Sequence, residues 1–214
     1  MPSTTFSYAQ KVFPFLSKYG VGTFGSGQLA GKTIYFAMRE LEQNLISSDE
    51  SPAGVSEVAD FIGSHAHSLL AQQVKNEGKE IEDAPEDWFP LGFQIVGYDE
   101  DEAVTIELKI GKDVRTNKIT GSGCTVSGSG EMVGLLFQLY EKQPREKPVY
   151  EVFSLQDAIA YADFIIGTTA AQQQFSRTIP KVGGDIDIGL VTPFDEFRWI
   201  RRKTLHASID GDNK

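Results

Sequence analysis

Cysteine is nearly absent from this chain. The single thiol, Cys124, excludes an internal disulfide and gives no sign of secretion. Its setting, Gly123-Cys124-Thr125-Val126, reads as a short strand holding a buried structural thiol rather than a nucleophile. Histidine is also scarce. His65, His67 and His206 are the only three, which excludes a histidine-rich metal site. His65 and His67 stand two apart on an expected helix, so they point to different faces. Positive charge is in deficit, with 20 Lys and Arg against 30 Asp and Glu, a net charge of −10. That balance argues against nucleic acid, whose phosphates call for a clustered basic face. The one basic run, Arg201-Arg202-Lys203, reads as a solvated stretch. No segment reaches the roughly 18 apolar residues of a membrane span, and the N-terminus lacks the charged and apolar regions of a signal peptide. The expectation is a cytoplasmic protein with no nucleic-acid or membrane partner, no metal and no organic cofactor.

What is present suits one domain. The 214 residues are 40% apolar and 23% charged, enough to bury a real core. Residues 11–16 and 19–24 read as two short strands around a turn at Ser17-Lys18. A helix follows, with Ala30, Ile34, Ala37, Met38, Leu41 and Leu45 at helical spacing. A second helix starts near Val55, with Ser56 as a possible cap. Residues 77–90 are acidic and proline-bearing, an exposed loop. Residues 91–97, 103–110 and 114–119 form a meander, with Val104, Ile106, Leu108 and Ile110 on one face. Residues 124–126 would add a last short strand. The helix over 131–141 is apolar nearly all round, which predicts a covered, central position. Ser154 caps the fourth helix, and Asp157 stands at its third position, a weakened capping box. Strands, helix pair, meander, helix pair and strands fit a four-layer α-β-β-α sandwich, although simpler two-layer α+β folds fit too. Residues 1–7 read as an extended arm and 204–214 as a polar tail.

Three glycine-containing elbows punctuate this order. Gly25-Ser26-Gly27 joins a strand to a helix, and Ser127-Gly128-Ser129-Gly130 precedes the apolar helix. Val182-Gly183-Gly184-Asp185-Ile186-Asp187 opens the C-terminal strands, whose second member spans 196–200. Together with Lys11-Val12-Phe13, these elbows resemble, in order, the middle and end of a proteasome β-type subunit. The bacterial heat-shock protease peptidase subunit is similar there. The resemblance runs over about residues 8 to 203 and implies an N-terminal-nucleophile hydrolase fold. In that family a freed N-terminal Thr attacks a peptide carbonyl, and its own α-amino group takes the proton. A lysine lowers the cost of the alkoxide, and main-chain N–H groups stabilise the oxyanion. By resemblance Lys11 matches that lysine, and Ser129 matches the turn serine that helps hold the terminal amine. Peptide or unfolded-protein substrates and a homo-oligomeric ring are implied with them.

The sequence also departs from the family. There the nucleophile opens a hairpin well upstream of the lysine, whereas only ten residues precede Lys11 here. At about 3.3 Å per residue these do not make two strands and a turn. Thr4 and Thr5 lie too near Lys11 to serve and read as part of the arm. The Asp and Ser that support the terminal amine fall on Ile179 and Val182. The expectation is therefore a peptidase relative without its nucleophile in this chain. The alternatives are a non-catalytic ring-forming assembly subunit, and an unrelated α+β binding domain.

Overall fold

A computed structural model describes residues 10–177 and 180–203. The expected arm (1–7) and tail (204–214), with Thr4, Thr5 and Ile179, lie outside them. Among the described residues the order is β1 (Val12–Phe15), β2 (Tyr19–Gly25), β3 (Gln28–Leu29), β4 (Lys32–Thr33), α1 (Ile34–Ser47) and α2 (Val55–Asn76). Then come β5 (Leu91–Asp99), β6 (Glu102–Ile110), β7 (Val114–Thr120), α3 (Glu131–Lys142), α4 (Leu155–Gln174), β8 (Ile188–Leu190) and β9 (Arg198–Arg201). The fold is α+β with antiparallel sheets. The main sheet has five strands in the order β1-β2-β5-β6-β7, all antiparallel, and β8 and β9 pair as a separate ribbon.

Strand alternation gives the main sheet two unlike faces. Phe13, Phe15, Val21, Phe93, Ile95, Val104, Ile106, Leu108 and Ile110 are buried in one core with Ile34, Met38, Leu41, Val58, Ile62 and Leu70 of α1 and α2. The expected stripe of β6 is borne out, since its four apolar residues are all buried. Removing each such side chain from water contributes about 1.5–3 kcal/mol.

Several local readings are corrected. The first helix begins at Ile34, because Ala30 and Gly31, with φ of 50° and 78°, turn the small β3–β4 hairpin instead. Thr33 then caps α1, accepting from the Phe36 N–H at 3.3 Å. Ser56 lies inside α2 and does not cap it. That task falls to Asp99 at the end of β5, which accepts from the Val55 N–H at 2.8 Å and so ties the helix to the sheet. Residues 124–126 are not a strand. The segment after β7 leaves the sheet and crosses its second face. α3 is not covered on most sides. Val133 is its one buried residue, and Leu135 is 60% exposed, because α3 packs mainly on α4. The capping box of α4 is present in full, Ser154 and Asp157 each bonding the other's main chain.

Two buried polar groups tie α1 to its surroundings. Leu16 and Ser17 turn β1 into β2 with positive φ, and the Leu16 N–H donates to Glu42 Oε1 at 2.7 Å. Glu42, only 5% exposed, also pairs with Arg39. Glu42→Ala leaves both partners unmatched, with an expected loss of about 1–3 kcal/mol in urea unfolding. Glu42→Gln keeps an accepting oxygen and should lose less.

His65 of α2 bonds the Ala37 main chain of α1, while its Nε2 is buried without a partner. Burial holds this imidazole below its ordinary 6.5. On acidification the unfolded chain therefore takes up the proton first. The contribution is full above 6.5 and is lost as pH falls from there through the folded value. Urea midpoints should decline on going below neutrality, and His65→Gln should flatten that decline. An unchanged slope in the variant would contradict this role.

Candidate functional site

The second face of the main sheet carries few apolar side chains. Its central register row runs Val12, Gly22, Gln94, Glu107 and Asn117. Gly22 leaves an open floor there, since a methyl group on it would meet only the Gln94 Cβ and carbonyl oxygen, at 3.8 and 3.9 Å. The first two elbows meet at the Phe24 end of this face.

The first elbow closes β2. Gly25 has φ of +82°, and a Cβ on it would lie 2.3 Å from the Pro90 carbonyl oxygen, so only glycine fits. The Ser26 N–H donates to that same oxygen at 2.8 Å. The Ser26 hydroxyl donates to the Gln28 carbonyl at 2.7 Å and closes the turn.

The second elbow reaches the same place from α3. Gly128 turns with φ of +91° and sits against Phe24, whose Cβ is 3.3 Å from the position a Cβ would take. Just before it, the Ser127 hydroxyl donates to Glu107 Oε1 at 2.8 Å and accepts from Gln94 Nε2 at 2.9 Å.

The third elbow enters from α4. Gln173 is 5% exposed, and its Oε1 accepts from the Lys181 and Val182 N–H groups at 2.7 and 2.9 Å. Gly184 then turns with φ of +78°. Asp187 accepts from the Lys203 N–H at 2.8 Å and pairs with its ammonium at 3.2 Å. This ion pair is nearly closed to solvent, with side chains 10% and 5% exposed for Lys203 and Asp187.

The ribbon that follows lies across β1 and β2. Gly189 sits over Val12, while Val191 and Phe197 sit over Gly20. The Phe197 N–H donates to the Ser17 carbonyl at 2.7 Å. Val12 pairs with Gly22, two residues beyond Gly20 along β2.

The two expected site residues flank the Phe24 end of β2. Lys11 is exposed, and its carbonyl accepts from the Thr23 N–H at 2.8 Å. Ser129 is half-buried in the elbow whose Gly128 rests on Phe24. Their main chains are thus brought to adjacent residues of β2. The Thr23 hydroxyl is buried without a hydrogen-bond partner, but it points to the core face of the sheet, in the row of Phe93 and Leu108, and Lys11 pairs with Thr23 in that same row. Val182 brings no polar side chain, as expected, yet its main chain is held by Gln173. Burial pushes the Cys124 thiol up, away from the thiolate a nucleophile needs.

Sequence reasoning missed Gln94, Glu107, Ser127 and Gln173. The alternation of β6 marks Glu107 as lying opposite the core, but a solvated glutamate gives the same signal. Gln173 stands among three consecutive glutamines, and nothing local distinguishes it.

Among the described residues no group of three His, Cys, Asp or Glu is placed to hold a metal ion. No described helix is long and apolar enough to cross a membrane. Compared with protein-family models and with curated proteins, the chain matches none. The site therefore has to be read from its own geometry. It is a stretch of the second face at Gly22 where the Gln94 amide, the Glu107 carboxylate and the Ser127 hydroxyl are joined by hydrogen bonds.

Proposed function

We propose that this chain has a proteasome-like N-terminal-nucleophile fold and belongs with the threonine peptidases and their non-catalytic relatives. The reading is supported by two positive-φ glycine elbows, at Gly25 and Gly128, that meet at the Phe24 end of β2, where the Lys11 main chain also bonds Thr23. In this reading the ribbon of β8 and β9 is part of a second sheet, and α3 and α4 form the outer layer of an α-β-β-α sandwich. Lys11 supplies positive charge beside the reacting oxygen, and Ser129 holds the attacking amine. Peptide or unfolded protein is the substrate class. The nucleophile itself is expected from a segment ahead of Lys11, outside the described residues. The experiment is hydrolysis of small fluorogenic peptides by the 214-residue chain and by a form extended upstream with a Thr-, Ser- or Cys-led strand. The 214-residue chain should be inactive. The extended form should be active and lose activity in Lys11→Ala. Activity in the 214-residue chain that Lys11→Ala abolishes, or activity in the extended form untouched by that change, would count against the reading.

A second reading is a non-catalytic subunit of a homo-oligomeric ring. It is favoured by the apolar side chains that α3 and α4 leave open: Leu135, Leu139, Leu155, Phe164 and Ile166 are 40–60% exposed. Sedimentation at micromolar concentration should show an oligomer, and Leu135→Glu should shift it toward monomer. Monomer alone in the unaltered chain would contradict this reading.

A further inference from the structure

The ten residues between β7 and α3 form a long connection with no strand or helix of its own. Long structureless connections are normally the mobile parts of a domain. This one carries Ser129, the residue whose placement the proposed function needs. We propose that Glu107 and Gln94 are positioning residues, acting through the Ser127 hydroxyl to hold the Gly128-Ser129-Gly130 elbow over the end of β2.

Glu107 and Gln94 face each other directly across β6 and β5, near the middle of the main sheet. They are among the firmest points such a fold offers. The Ser127 hydroxyl is used in both directions, as donor to the carboxylate and acceptor from the amide. A hydrogen bond to an ionised carboxylate is stronger than a neutral one, and a chain of two polarises each member. Ser127 is thereby committed to structure, which separates it from the half-buried Ser129 two residues on.

Beyond Ser127 the backbone turns at Gly128, and α3 begins with the Gly134 N–H donating to the Gly130 carbonyl at 2.7 Å. The elbow is thus fixed at both ends, by the sheet at Ser127 and by the helix at Gly130. That Ser129 acts in chemistry rests on the proposed function. The pinning of its elbow does not.

The test is amide hydrogen exchange at Gly134, measured by NMR in the 214-residue chain. Because this amide is bonded to Gly130, its exchange reports opening of the elbow. Ser127→Ala and Glu107→Ala should each speed it about tenfold, as expected for losing a hydrogen bond to a charged group. The double variant should be no faster than the faster single, since both remove one link. Ser127→Thr and Glu107→Gln retain the hydroxyl and an acceptor and should stay near the unaltered rate. Amides of Ile95 and Ile106, in the core, should not change. Unchanged Gly134 exchange in both alanine variants, additive effects in the double, or Ser127→Thr as fast as Ser127→Ala would each overturn the proposal. Should the alanine variants fail to fold, the threonine and glutamine variants decide alone, since loss of Gly134 protection in them is the overturning result. The readout needs no activity. Coupling in the 214-residue chain, with no peptide hydrolysis by the upstream-extended form, would remove the peptidase reading and leave the positioning intact.

Discussion

The alternation of β2, β5 and β6 is the constraint from which everything else in this molecule follows. Val21, Ile95 and Ile106 stand in one register row and are buried, and so do Phe93 and Leu108 in the next row on the same face. Their neighbours Gly22, Gln94 and Glu107 necessarily face the other way. A slip of one residue in β6 would bring Glu107 to the core and Ile106 to the second face. The core under α1 and α2 therefore fixes the chemistry of the opposite face, although no residue of that core reaches it.

On this second face the folding problem is polar. Connections cross it without regular structure, and their main-chain groups need partners. Gln173 supplies them for residues 181 and 182 and Asp187 for Lys203, while Glu107 and Gln94 hold the Ser127 side chain. The Asp187–Lys203 pair is nearly closed to solvent. Such pairs add little net stability, because desolvation offsets their attraction, but breaking one leaves a costly lone charge. Their effect is to favour one arrangement of the ribbon over the alternatives. The helices on this side differ in kind from α1 and α2. They pack on each other and keep much apolar surface open.

Period and punctuation carried most of what was legible in the sequence. The stripe of β6, the pairing back of β7, the start of α2 and the Ser154–Asp157 box all depend on neighbours a few residues apart, and such patterns survive without a structure. The elbows were legible for the same reason, since Gly25, Gly128 and Gly184 take φ values that other residues resist. What failed depended on distance along the chain. Asp99 caps a helix that begins at Val55, and no local pattern around Val55 announces it. The apolar circumference of α3 was read as burial, but hydrophobicity says only that a surface seeks cover, not that this fold supplies it. Lys11 and Ser129 are named through resemblance, whereas Glu107 and Gln94 look like solvent-facing strand residues until the Ser127 hydroxyl is placed on them.

The most direct measurement of the central claim is a set of nuclear Overhauser contacts across the second face. The account predicts contacts between the Val12 methyls and the Gly189 α-protons, and between the Phe24 β-protons and the Gly128 α-protons, in one spectrum. Together they would place the second elbow and the strand leaving the third at one end of β2. Absence of both, in a chain whose Ile95–Ile106 contacts are intact, would mean that neither the second elbow nor the β8 ribbon lies on this face.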